Sequence, residues 1–198
     1  MRAAEEQMGS ANVAGPGGNW QYTCDVGISR KCPRFPEVSP MPKKQYWLFK
    51  SEPETFSIQD LQKLPNQTSP WDGVRNYQAR NFLRDQVKVD DGVLFYHSST
   101  ELVGIAGEAV VVRSGYPDET QFQPKSKYFD PKSTQEKPIW YVVDVRFVRA
   151  TKAIITRREL EKVEALRKMV VLKRGIRLSI QSVTKEEWKA IMALPVWR

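Results

Sequence analysis

Cysteine is nearly absent: the 198 residues hold two, Cys24 and Cys32, both among the first forty. No disulfide framework therefore holds the main body of the chain. Histidine is rarer still, with His97 alone. A structural zinc site takes about four ligands, and the two cysteines have only a distant His97 to join them, so no metal is expected. No apolar run approaches the ~18 residues of a membrane-spanning helix. No apolar h-region marks the N-terminus, so neither a membrane partner nor a secretory signal is expected. The expected compartment is a reducing one: the cytoplasm of a bacterium, nucleoid-associated or not, or the nucleus of a eukaryote.

Regular patterning is missing from the start of the chain as well. Residues 1–40 carry Gly15-Pro16-Gly17-Gly18 and Pro33, Pro36 and Pro40, with no sustained period of 2 or 3.6. Such a segment is expected to be disordered. Residues 1–43 are read as an extension, either a genuine tail or an over-long reading of the gene with its true start near Met41. Residues 44–198 are read as one domain. Acidic charge is short: 31 Lys and Arg face 23 Asp and Glu, a net +8. Arg2, Arg30, Lys31 and Arg34 balance Glu5, Glu6, Asp25 and Glu37, so the whole excess lies in residues 41–198. A basic domain suits a polyanion, usually nucleic acid; it also suits plain solubility. Six tryptophans exceed what solubility needs and favour binding.

What is present centres on Trp71-Asp72-Gly73-Val74-Arg75-Asn76-Tyr77-Gln78-Ala79-Arg80. Asp-Gly sets a turn. Asn76 can cap a helix that begins at Tyr77, and a helix N-terminus offers free N–H groups and partial positive charge. With Trp71 and Arg75 beside it, this corner suits a flat, hydrogen-bonding ligand. Upstream, residues 46–50 read as a buried strand, ended by Ser51-Glu52-Pro53. Ser57 caps a short helix with Ile58, Leu61 and Leu64 on one face, and residues 65–70 read as a polar loop. Downstream come a helix over 77–87, a strand over 93–97 and a strand over 102–112 whose Gly104 and Gly107 suggest a bulge or close backbone contact. Residues 114–138 form a long loop and 139–148 an alternating strand. Capping boxes at Thr156–Glu159 and Thr184–Glu187 open two helices on either side of a strand over 177–183. The order β-α-α-β-β-β-α-β-α predicts a mixed α/β fold, a curved mixed sheet with helices outside.

Several of these segments hold together as a set. They are Tyr46-Trp47-Leu48-Phe49-Lys50-Ser51-Glu52-Pro53, the stretch from Trp71 to Asn81, and Gly92-Val93-Leu94-Phe95-Tyr96-His97-Ser98. Tyr116-Pro117-Asp118, Tyr128-Phe129-Asp130-Pro131-Lys132-Ser133, Trp140-Tyr141-Val142-Val143-Asp144-Val145 and Arg177-Leu178-Ser179-Ile180-Gln181 follow in order. From about Lys44 to the C-terminus the chain resembles the EVE domain family. The first forty residues have no counterpart, and Gly175-Ile176 departs from the serine-containing form expected before Arg177. The resemblance implies a PUA-like pseudo-barrel of mixed strands with helices packed outside, similar to the YTH domain that holds N6-methyladenine in an aromatic cage. It also implies a non-catalytic reader of modified bases, a modified cytosine such as 5-methylcytosine in DNA foremost, without a cofactor. A monomer is expected.

Such a reader must stack the base, pair its polar edge and leave an apolar slot for the methyl. Trp71, Tyr96, Phe129 and Trp140 are the candidate walls, and Trp47 faces either the pocket or the core. Trp71 sits in a polar, turn-rich segment, which favours the pocket. Ser51 and, by the likeness to YTH domains, the residues after Gly73-Val74 line the base. Asn76 reads the edge or only caps its helix. Asp130 accepts from an exocyclic amine or makes an Asp-Pro turn. His97 and Ser98 adjoin from the second strand. Arg75, Arg80, Arg84, Lys125, Lys127 and Lys132 are candidate phosphate contacts. On this reading Trp71→Ala weakens base binding by about 1–3 kcal/mol and leaves the fold largely intact. Two other functions compete. One is a PUA-like RNA-binding module with no modified-base preference. The other is a small hydrolase-like enzyme using His97-Ser98 with Glu52, Glu108 or Asp130, which no nucleophile elbow, P-loop or metal spacing supports.

Overall fold

A computed structural model describes residues 43–197. The disordered extension and the start near Met41 lie outside the described residues. Two strands set the frame. β1 (Tyr46–Ser51) runs parallel to β3 (Gly92–His97), with Trp47 opposite Val93 and Phe49 opposite Phe95. Side chains alternate across a strand. Trp47, Phe49, Val93 and Phe95 therefore enter one core, while Leu48, Leu94 and Tyr96 enter another. Both faces are covered, which is why the two strands read as unbroken apolar runs. A parallel pair needs a crossover. Here it is α1 (Ile58–Lys63), β2 (Thr68–Pro70) and α2 (Tyr77–Asn81), the last continuing as a π-turn over Phe82–Gln86. β2 lies inside the expected polar loop. It pairs through Thr68, Ser69 and Pro70 alone, too short a run to carry a legible alternation.

β4 (Gly104–Pro117) and β5 (Tyr141–Thr156) form a long antiparallel pair. With β6 (Ile180–Val183) antiparallel to β1, the sheet order is β2-β5-β4-β3-β1-β6, the mixed α/β architecture expected. Repeated register shifts interrupt the β4–β5 ladder. Each bulge inverts the inside–outside alternation and bends the strand. That is why 114–117 read as loop although β4 continues to Pro117. Gly107 lies between two of these shifts. A Cβ there would stand 2.7 Å from the Arg149 carbonyl oxygen and 2.7 Å from Ile58 Cγ1, so bulge and α1 both need the bare backbone.

The first core lies between the sheet and the crossover, with Ile58, Leu61, Ala79 and Leu83 on Phe49, Phe95, Val111 and Val145. The second lies under α3 (Arg157–Lys162) and α4 (Lys185–Met192), with Leu160, Trp188 and Ile191 beside Leu48, Leu94 and Ile105. Both expected capping boxes form, and Ser57 makes a third with Asp60. Trp47 goes to the core, not to a pocket. It is 1% exposed, Phe82 packs on it, and its indole N–H donates to Asp91 Oδ2 at 2.9 Å. Buried Asp91 also accepts from the backbone N–H of Gln45 and of Lys88, fixing the start of β1. No helix among the described residues is long and apolar enough to cross a membrane.

Candidate functional site

A cleft of ≈ 690 Å³ opens where the end of β1 meets the 71–76 turn and the Lys127-Tyr128 segment. The turn is placed by the sheet: the Trp71 N–H donates to the Val143 carbonyl at 2.8 Å, continuing the β2–β5 pairing. Gly73 then reverses the chain at φ +71, and a Cβ on it would meet Tyr128 Cζ at 2.5 Å. Glycine supplies both the left-handed backbone and the room for that ring. Asn76 caps α2, its Oδ1 accepting from the Ala79 N–H at 3.0 Å.

Arg75 fastens the opposite wall. Its Nη1 donates to Asp118 Oδ2 at 2.8 Å, and its Nη2 to the Tyr128 carbonyl at 2.6 Å and to Thr120 Oγ1 at 3.0 Å. The guanidinium also lies 5.1 Å from the Tyr128 ring and 5.3 Å from the Trp140 ring. Trp140 donates its indole N–H to Asp130 Oδ2 at 2.8 Å. The buried Gln121 amide bonds the backbone of Ile139 and Trp140, and the Ser133 hydroxyl donates to its Oε1. The long stretch between β4 and β5 is thus tied by its own side chains into a shaped wall.

The floor is aromatic. Trp71 is 7% exposed and packs against Phe49 and Phe95, each at 5.1 Å between ring centroids, with Phe56 at 6.4 Å. It lines the cleft and belongs to the first core at once. Beside it the Ser51 hydroxyl donates to the Phe56 carbonyl at 2.6 Å. Asp72 is exposed at the rim, so solvent damps its electrostatics. Enclosure by the cleft walls, and then the nearby Asp118 carboxylate, still raise it above the ordinary aspartate range, against Arg75 and Lys127.

The family model for the EVE domain matches residues 45–194, a span that takes in every residue of this cleft. The chain belongs to the EVE domain family. Mouse and human thymocyte nuclear protein 1 are each 44% identical to it over 166 residues, covering 75% of this chain and 73% of theirs. Human THYN1 protein, solved in complex with DNA containing 5-methylcytosine, is 43% identical with a TM-score of 0.71, over 75% of this chain and 96% of that one. A Leishmania major protein of known structure is 50% identical with a TM-score of 0.70, over 75% and 92%.

This EVE domain brings only part of the expected set together. Ser51, Trp71, Arg75, Asn76 and Lys127 line the cleft. Tyr96 does not. Period-2 alternation turns it away from Phe95 into the second core, where it is 2% exposed. His97 is buried and its Nε2 accepts from the Ile58 N–H at 3.2 Å, so it holds the start of α1. The Ser98 hydroxyl donates to the Ser51 carbonyl at 3.3 Å, so His97 and Ser98 are not assembled as base and nucleophile. Trp140 and Asp130 satisfy each other behind the wall, and Phe129 is exposed outside the cleft. Arg80 Nη1 is held by the Ile139 carbonyl at 2.7 Å, and Arg84 pairs with Asp85 at 2.8 Å. Lys125 and Lys132 are exposed and do not line the cleft. Asp72, Phe56 and Tyr128 line it without having been singled out. Tyr128 and Phe129 are neighbours in a loop with no period, so nothing local says which ring turns inward.

His97 gives the fold a pH dependence. Burial holds its imidazole below the usual histidine range, against a weaker pull from Asp60. The unfolded chain therefore takes up this proton first as pH falls. The contribution is fully present above about pH 6.5 and is lost progressively below it. The thermal midpoint is expected to fall between pH 7.5 and 5.5, and to fall less in His97→Gln. Superimposable pH profiles for the two proteins would contradict this role.

Proposed function

We propose that this EVE domain reads a modified base in DNA, a modified cytosine foremost, by seating the extruded base in the cleft over Phe56 and Trp71, beside Tyr128 and the 71–76 turn. The observation that carries this reading is an aromatic-floored, polar-rimmed cleft in a chain 43% identical to human THYN1, which was solved with 5-methylcytosine-containing DNA. Tyr128 and Phe56 supply stacking surface. Asp72 can accept from the cytosine N4 amine, a pairing that aspartate makes readily. Asn76 spends its Oδ1 on the helix cap and keeps its Nδ2 for an acceptor on the base edge. Lys127, whose ammonium lies 4.8 Å from the Tyr128 ring, offers positive charge for a phosphate beside the cleft. Extruding a base costs a few kcal/mol, which stacking at roughly 1–3 kcal/mol per base and phosphate contacts must offset. The reading is one of binding, with no reaction assigned.

Titrating fluorescent duplexes of one sequence, with cytosine or 5-methylcytosine at one position, tests it, with an RNA duplex alongside at the same salt. Tighter binding to the 5-methylcytosine duplex is expected. Equal affinity for all three sinks the proposal, and tightest binding to RNA favours the RNA-binding alternative. Asp72→Asn is expected to cost about tenfold in affinity, within the ~1–3 kcal/mol of one base-edge contact. Because the Asp72 carboxyl is raised, it protonates at a higher pH than an ordinary aspartate. Wild-type binding should weaken on acidification, and Asp72→Asn should lose that part of the dependence.

A further inference from the structure

Two large aromatic side chains stand exposed among the described residues, Tyr77 at 58% and Phe129 at 41%. Each directly follows a cleft-lining residue, Asn76 and Tyr128. Tyr77 is not loose. Its ring packs against Trp140 at 5.0 Å between centroids, tilted by 33°, and the Arg80 guanidinium lies 5.1 Å from it. Arg80 is itself held by the Ile139 carbonyl. The Arg75 guanidinium lies near both the Trp140 ring and the Tyr128 ring. A chain of contacts, Tyr77–Trp140–Arg75–Tyr128, thus links the exposed ring to the cleft wall. An exposed phenol ring contributes little to a core, and this one is braced in place beside a cation.

We propose that Tyr77 is a second nucleotide contact, its exposed ring packing on the base next to the one seated in the cleft. This rests on the base-reading function above. Flat aromatic surfaces hold any base face, so the contact strengthens binding whatever the modification. Arg80, already engaged with protein oxygen, keeps the ring oriented and adds positive charge beside the sugar-phosphate chain. The Tyr77 contact raises affinity, and the cleft sets the preference for the modified base.

The test compares wild type, Tyr77→Ala and Tyr77→Phe on the cytosine and 5-methylcytosine duplexes. Tyr77→Ala is expected to lose roughly 5- to 150-fold on both duplexes, the fold-change equivalent of one base–aromatic stack, with the ratio between them kept. Tyr77→Phe is expected to bind like wild type. Thermal midpoints should match, since the ring is mostly exposed. A 5-iodouracil placed beside the 5-methylcytosine should photo-crosslink to Tyr77, mapped by mass spectrometry. Wild-type affinity in Tyr77→Ala, or crosslinks elsewhere only, overturns the inference while leaving the cleft reading standing. A wild-type protein that binds without preferring 5-methylcytosine overturns the cleft reading instead, and the crosslink still decides Tyr77.

Discussion

Trp71→Ala should cost about 3–5 kcal/mol of folding stability, the range for removing a large buried aromatic, and not merely weaken binding. The indole is 7% exposed and touches Phe49, Phe56 and Phe95, which come from β1, the segment after it, and β3. Its removal opens a cavity at the join of the sheet and the crossover. Urea unfolding should show a large fall in midpoint, and titration with 5-methylcytosine duplex should show weaker binding in proportion to floor lost. Trp71→Phe, which keeps an aromatic floor, should recover much of the stability. A midpoint within about 0.5 kcal/mol of wild type, the scale of an ordinary surface change, would return Trp71 to the purely ligand-facing role that its polar sequence context suggests. The expectation that alanine spares the fold gives way because the residue is floor and core together.

Arg75→Ala should have the second large effect, about 3 kcal/mol, because it strands a buried partner. Asp118 is 2% exposed and would keep only its bonds to the Thr120 N–H and hydroxyl. The Tyr128 carbonyl would lose two donors at once. The wall should therefore loosen, so binding falls although the residue need not touch the ligand. Limited proteolysis should cut faster within 118–140 in the variant. Arg75→Lys should not restore the wall, since one ammonium cannot span Asp118, Thr120 and Tyr128 as a planar fork does. Combining Arg75→Ala with Asp118→Ala should cost less than the two changes summed. Strict additivity, with an unaltered cleavage pattern, would show that the pair does not hold the wall.

Much of the scaffold was legible because it rests on local rules. The apolar runs of β1 and β3 announce strands covered on both faces. Ser57, Asn76, Thr156 and Thr184 announce helix starts because a side-chain oxygen three residues before a free N–H is a short-range device. β2 and the far end of β4 were not legible. One is too short for a period to appear, and in the other the bulges reset the period. The order of motifs sufficed for the EVE domain family, which the match over 45–194 shows.

The Trp71–Arg80 stretch shows where sequence stops. By itself it determined a turn at Gly73, a cap at Asn76 and an unusual density of aromatic and cationic groups. Only the tertiary structure decided what each group does. Trp71 is buried because strands from both sides converge on it. Arg75 is a staple because its partners, Asp118 and Tyr128, are 43 and 53 residues away. Tyr128, not Phe129, faces the cleft because the bare backbone of Gly73 leaves room for one ring. A residue's type fixes what it can bond. Which bonds it makes is set by chain brought near from far along the sequence, and no local period records that.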